Sequence, residues 1–214
     1  VLQIKVKNED TLVSAEEVKE YKDVAFTKLE DVLQSVKMPK LQEFARHMWN
    51  HAPEYFFVIP ASVSGKHHAE WSTGLGGLIR HVVMGAKVAQ DLARTFGLTD
   101  EERDMAVVAM LGHDILKYGF NFDKQYLPMH PFLPRVHYGS EKSPAFVGVF
   151  AYSEEFETIM NAIERHMGSI ATGEWTSVAG IKPETPLEQV VHLADYIASR
   201  KGLVHTDYVG EFSY

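Results

Sequence analysis

The chain contains no cysteine, which excludes disulfides and thiolate metal sites and leaves His, Asp and Glu as the side chains able to hold a metal. It also lacks any run of about 18 uninterrupted apolar residues, and any basic segment leading into an apolar stretch. Neither membrane spanning nor secretion is indicated, and a cytoplasmic location is expected. Basic residues are in short supply, with 21 Lys and Arg against 29 Asp and Glu, a formal net charge of −8. That balance argues against a broad nucleic-acid surface, which needs many cations to neutralise phosphates, and leaves room only for a local basic pocket. No internal repeat or low-complexity segment is found. What is present is a 45% hydrophobic composition, ample for one sizeable core in 214 residues, and eleven histidines in an otherwise ordinary mixture.

The pattern along the chain is helical. Leu2, Ile4 and Val6 alternate with polar residues and predict a short strand or extended arm. Helical spacing then runs from Ser14 to about Val36, and a second helix is expected from Leu41 to Asn50, after Pro39. The stretch from Ala61 to Thr73 reads as a loop. The next helix, about Leu75 to Phe96, lines up His81, Gly85, Val88 and Leu92 on one stripe, so His81 points inward. Thr99 with Glu102 forms a capping box for a helix ending near His113 and Asp114. Tyr118 to Pro134 reads as a long surface loop, Ser143 to His166 as helical, and Gly168 to Pro183 as another loop. Thr185, Pro186 and Glu188 supply the cap, first-turn proline and carboxylate of a last helix reaching about Lys201. The expected layout is an N-terminal arm and helix over 1–40, a helical domain over 41–202 and a tail over 203–214.

Chemistry concentrates at His113-Asp114, which closes the apolar helix from Met105 to Leu111. A buried carboxylate beside an imidazole is costly unless both are paired or bound to a cation, although a solvent-exposed helix end would accommodate the pair equally well. His81 and Asp195 sit on apolar helices of their own, and an acidic residue among Val190, Val191, Ala194, Ile197 and Ala198 calls for a partner. Imidazole and carboxylate together suit Mn, Fe, Zn, Ni or Mg, the nitrogen donors favouring the transition metals. Periodicity does not say whether the four side chains meet.

The order His81, His113-Asp114, Asp195, each in a helix, resembles the signature of HD-superfamily phosphohydrolases. Gly76-Gly77-Leu78-Ile79-Arg80-His81, His113-Asp114-Ile115-Leu116-Lys117-Tyr118-Gly119 and Leu193-Ala194-Asp195-Tyr196-Ile197 each look like the family's phrases around its ligands. The stretch from Pro60-Ala61-Ser62 through His67-His68 to Gly76-Gly77 is similar to the branch with bacterial 3′-to-5′ exoribonucleases and relaxase-associated HD domains. The resemblance spans about residues 40 to 202. It implies an all-α HD-domain helical bundle with one or two divalent cations, His81, His113, Asp114 and Asp195 as ligands, and His137 and His166 at a second position with Asp114 bridging. Arg165 departs from the paired histidines of many binuclear relatives, and as a fixed cation it is expected to clamp substrate phosphate or to cap its helix.

Lys117 lies close enough to the His-Asp pair to reach a bound phosphate, or else is a solvated helix-end lysine. His67 and His68 read as loop residues that contact the leaving group or only solvent, and His192 shares a helix face with Asp195 and is expected to orient it. His47 and His51 are expected to be structural, and His130 and His205 to be ordinary surface or core histidines. The leading expectation is metal-assisted hydrolysis of a phosphoester or phosphoanhydride in a small nucleotide, with Asp114, Lys117 and Arg165 in catalytic roles. A 3′-to-5′ exonuclease on single-stranded RNA or DNA and a non-catalytic nucleotide-binding module are the alternatives.

Overall fold

The computed structural model describes residues 1–65, 68–122, 127–168 and 181–201. Among these are eight α-helices and one two-stranded sheet, so the chain is all-α apart from its N-terminal hairpin. In the hairpin, β1 (Leu2–Val6) pairs antiparallel with β2 (Glu9–Val13), Val6 facing Glu9 across the turn. Lys7 and Asn8 both take positive φ, 51° and 67°, the pairing that lets a two-residue turn match strand twist. The expected lone strand is thus half of a hairpin. Glu9–Val13 escapes a pattern reading because its exposed residues do not alternate cleanly. Ile4 and Val13 are buried in the same core as the helices.

Helix α1 (Ala15–Leu33) starts at a Ser14–Glu17 capping box, and α2 (Pro39–Asn50) starts with its proline in the first turn. A short helix α3 (Tyr55–Val58) buries the aromatic patch, and α4 (Gly77–Thr95) follows. Then come α5 (Asp100–Gly112), α6 (Leu133–Gly139), α7 (Glu154–Arg165) and α8 (Pro186–Ala198). The predicted capping boxes at Thr99–Glu102 and Thr185–Glu188 are both formed.

Helix α5 is the axis of the bundle. It packs on α2, α4, α7 and α8, and every residue from Asp104 to Gly112 is buried. A helix covered on all sides needs apolar residues all round, which is why Met105 to Leu111 reads as an unbroken apolar run rather than a stripe. Its two ends are tied by polar contacts. At the start, the Asp104 carboxylate accepts hydrogen bonds from the Lys37 and Met38 amides at 2.6 and 3.1 Å and from Arg103 at 2.7 Å. At the end, the Trp49 indole N–H donates to the Leu111 carbonyl at 2.8 Å, satisfying one of the acceptors that a helix C-terminus leaves open.

The loop that precedes α4 is folded onto the bundle. Gly76 has φ +66°, its amide donates to the Val58 carbonyl at 2.8 Å, and a Cβ on Gly77 would lie 2.0 Å from the Ser72 carbonyl oxygen. Arg80 binds the same loop, donating to the Trp71 and Leu75 carbonyls at 2.5 and 2.8 Å. The Gly-Gly pair therefore permits a backbone approach that seats the start of α4, one turn before His81. No helix among the described residues is long and apolar enough to cross a membrane.

Asp104 gives a test of this tie. Asp104→Ala leaves two inward amides without their acceptor and takes from Arg103 one of its two carboxylates, and the expected loss is about 3 kcal/mol in urea denaturation. A loss below about 0.5 kcal/mol, the level of an ordinary surface change, would remove Asp104 from this role.

Candidate metal centre

Helix ends converge at one pole of the bundle. His81 comes from the second turn of α4, and His113 caps the C-terminus of α5 with Asp114 directly after it. His166 caps the C-terminus of α7, and Asp195 projects from α8. His130 enters from the 3₁₀ turn His130–Phe132. His81 Nε2 lies 2.9 Å from Asp195 Oδ1, and His113 Nε2 lies 3.5 Å from the same oxygen and 3.6 Å from Asp114 Oδ2. On the other side of Asp114, Oδ1 is 2.9 Å from His130 Nε2 and 3.9 Å from His166 Nε2. Among the described residues three triads hold ligand atoms within 4.8 Å of one another: His81, His113 and Asp114; His113, His166 and Asp195; Asp114, His130 and His166.

The tautomers follow from the backbone. His113 Nδ1 is 2.8 Å from the Met110 carbonyl, His130 Nδ1 is 2.8 Å from that of Leu127, and His166 Nδ1 is 2.7 Å from that of Ile163. Each is the carbonyl three residues earlier, so a helix or turn end supplies the acceptor for its own terminal histidine. With Nδ1 protonated, the Nε2 lone pair faces the cluster. His113 Nε2 is buried with no hydrogen-bond partner, an arrangement that a cation would compensate.

Electrostatics act in the same sense. Burial alone would raise Asp114, but Lys117, His113 and His130 hold its carboxyl well below the usual range. Burial likewise opposes ionisation of Asp195, and His113 and His81 hold it well below the usual range. His166 moves the other way, pushed down to about 3 chiefly by burial and by the neighbouring His113. His113 is the exception: burial opposes its charge, but Asp114 and Asp195 raise it, and a divalent cation at Nε2 would take the place of that proton. The nitrogen and oxygen donor set fits Mn, Fe, Ni, Zn or Mg, and the fit rests on the bare His113 Nε2 and the three fixed tautomers.

A cavity of about 750 Å³ opens from the cluster. It is lined by Asp114, His130, His166 and Asp195 of the cluster together with Lys117, His68, Tyr118, Ser62, Val63, Tyr196 and Arg200. Lys117 Nζ lies 2.6 Å from Asp114 Oδ2 and is mostly buried, so the solvated helix-end reading does not hold. His68 packs edge-on at 5.3 Å from the His81 ring, and burial with the adjacent His81 lowers it to about 3. His67 and His205 lie outside the described residues.

Two expected site residues are placed elsewhere. His137 stands on α6 with Nε2 3.2 Å from the His51 carbonyl and lines a separate cavity with Phe120 and Lys142. It belongs to none of the three triads among the described residues. Arg165 lies 3.5 Å from Glu188 and 3.4 Å from Glu184 and donates to the Lys182 carbonyl at 2.9 Å, joining the end of α7 to the start of α8. His130, expected to be ordinary, takes the position beside Asp114 and His166. The segment expected to be a surface loop folds back instead, the Leu127 amide donating to the Lys117 carbonyl at 3.0 Å, and leaves His130 1% exposed. No periodic signal marks a histidine in a proline-containing turn, so sequence pattern had no purchase on it. His192 Nδ1 lies 2.7 Å from the His166 carbonyl and so binds the end of α7. His47 and His51 make backbone contacts, as expected of structural residues.

Asp114→Ala is expected to abolish retention of divalent metal while the helical circular-dichroism spectrum persists; normal metal content in that variant would refute the cluster as a metal site. His130→Ala and His137→Ala separate two versions of it. The first should lower metal affinity or stoichiometry and the second leave both at the parental value, measured by elemental analysis after gel filtration.

Comparison with known proteins finds no matching curated protein and no matching solved structure. The family model described as HD domain matches residues 78–200, a span that carries His81, His113, Asp114, His130, His166 and Asp195. HD domains bind divalent metals and are generally hydrolases. With more than half of its length matched, the chain belongs to the HD domain family.

Proposed function

We propose that the protein is a metal-dependent phosphohydrolase acting on a small nucleotide. The observation that carries this reading is the buried cluster of carboxylates and imidazoles opening, beside Lys117, into a cavity large enough for a nucleotide. His81, His113, Asp114 and Asp195 would hold one cation, and Asp114 with His130 and His166 a second. A bound divalent cation supplies Lewis acidity to a phosphoryl oxygen and makes water a competent nucleophile near neutral pH.

The chain's own groups do the positioning. The main-chain carbonyls of Met110, Leu127 and Ile163 hold the protons of their histidines at Nδ1 and keep each ring from turning. Lys117 keeps Asp114 ionised and sets an ammonium group at the cavity wall, where it can offset charge developing on a phosphoryl group. Tyr118 and Val63 give that wall apolar surface, which limits water beside the reacting phosphorus. Arg165 is occupied by Glu184 and Glu188, so phosphate recognition in this reading falls to Lys117 rather than to Arg165.

The likeness to the exoribonuclease and relaxase-associated branch motivates a rival, shortening of single-stranded nucleic acid from the 3′ end. The acidic chain favours the small substrate. Protein loaded in turn with Mn, Mg and Ni and offered nucleotides and labelled oligonucleotides is expected to release phosphate or split nucleotides, with affinity only weakly dependent on salt. Processive shortening of the oligonucleotide with a steep salt slope would put the exonuclease first, and tight binding without turnover under any metal would leave a nucleotide-binding module. Lys117→Gln should lower kcat/KM by about 10²-fold, a loss typical of removing one group that stabilises transition-state charge. An unchanged kcat/KM would exclude that role.

A further inference from the structure

Arginine in this chain is mostly set against carboxylates: Arg46 on Glu30, Arg103 on Asp100 and Asp104, Arg135 on Glu157 and Glu164, Arg165 on Glu184 and Glu188. Arg200 differs. Among the described residues no carboxylate lies within ion-pair distance of it, yet it is held in place. Its Nε donates to the Tyr196 carbonyl at 3.2 Å, its Nη2 donates to Ser199 Oγ at 2.9 Å, and its guanidinium carbon lies 4.0 Å from the centre of the Tyr196 ring. These contacts use Nε and Nη2 and not Nη1. Tyr196, Ser199 and Arg200 all line the cavity that holds Asp114 and Asp195.

The charges of the cavity make this cation surplus. Lys117 is already set on Asp114, and the remaining carboxylate, Asp195, faces His81 and His113. Arg200 lies just beyond the end of α8, outside the triads around Asp114 and Asp195, and lines the same cavity, where it can meet a second anion on the same ligand. A guanidinium held over an aromatic ring loses little further freedom on binding, and its remaining donors suit a phosphate.

Resting on the phosphohydrolase reading above, we propose that Arg200, backed by Tyr196, determines substrate specificity by binding a second phosphate. The cavity accordingly takes a nucleotide whose two phosphates are separated by a ribose, in preference to a mononucleotide.

The test is equilibrium binding of adenosine 5′-monophosphate and adenosine 3′,5′-bisphosphate to the metal-loaded protein by calorimetry. The parent should prefer the bisphosphate by about tenfold, equivalent to about 1.4 kcal/mol. Arg200→Ala should bring the ratio of the two constants close to one. Arg200→Lys, which keeps the charge without the planar fork, should lie between. Tyr196→Leu should also lower the ratio, because it removes the ring over which the guanidinium is held. No preference in the parent, or a preference that survives Arg200→Ala, overturns the proposal and leaves Arg200 as a cap on the C-terminus of α8. Binding is read without turnover, so a protein that prefers the bisphosphate but hydrolyses no nucleotide would sink the phosphohydrolase reading and uphold this one.

Discussion

Burial of Asp114 is the constraint on which the site's architecture turns. A carboxylate taken out of water is tolerated only where cations or donors surround it, and here Lys117, His113, His130 and His166 approach it from different parts of the chain. These partners must reach one point. Helix α5 ends there, α7 ends beside it, and the 3₁₀ turn that carries His130 is pulled in from a segment that would otherwise cover the surface. The bundle supplies this convergence because α5, buried on every face, fixes where its own C-terminus lies.

The same geometry explains how the imidazoles are prepared. A helix C-terminus leaves carbonyls without amide partners, and a histidine at the cap can take one of them through Nδ1. His113 and His166 do this at the ends of α5 and α7, and His130 repeats it in its turn. One backbone device thus satisfies the helix end, selects the tautomer and turns Nε2 toward Asp114 and Asp195. His192 adds a further layer by binding the His166 carbonyl, which ties α8 to the end of α7. Arg165 strengthens that joint through Glu188, whose other oxygen serves the capping box of α8. The residue expected at the phosphate instead secures the two helices that carry His166 and Asp195.

In the proposed reading, substrate selection is divided from this machinery at the end of α8. Asp195 faces the cluster, while Tyr196, Ser199 and Arg200 extend the lining outward from it. Asp195 and Tyr196 stand on α8 itself, and Ser199 and Arg200 follow directly from its last turn, so the helix anchors both parts of the lining. The hairpin contributes at the rim, where Asn8, at the tip of its turn, lines the same cavity.

Much of this could be read from residue order. The caps at Ser14, Thr99 and Thr185, the apolar stripe through His81 and the unbroken apolar run of α5 are local patterns, and local patterns determine helices. The pairing of His113 with Asp114 at a buried helix end, and an acidic residue on the apolar α8, identified chemistry because polar groups in apolar surroundings require partners. The sequence left undecided which side chains meet. His137 and His130 lie seven residues apart in one connecting segment, and nothing local distinguishes them. The fold-back that joins Leu127 to Lys117 brings His130 inward, and the contact with the His51 carbonyl holds His137 away. Arg165 next to His166 was equally ambiguous until α8 brought Glu188 against it. Helices are set by neighbours in sequence, whereas a site assembled from helix ends depends on contacts between distant residues that periodicity does not encode.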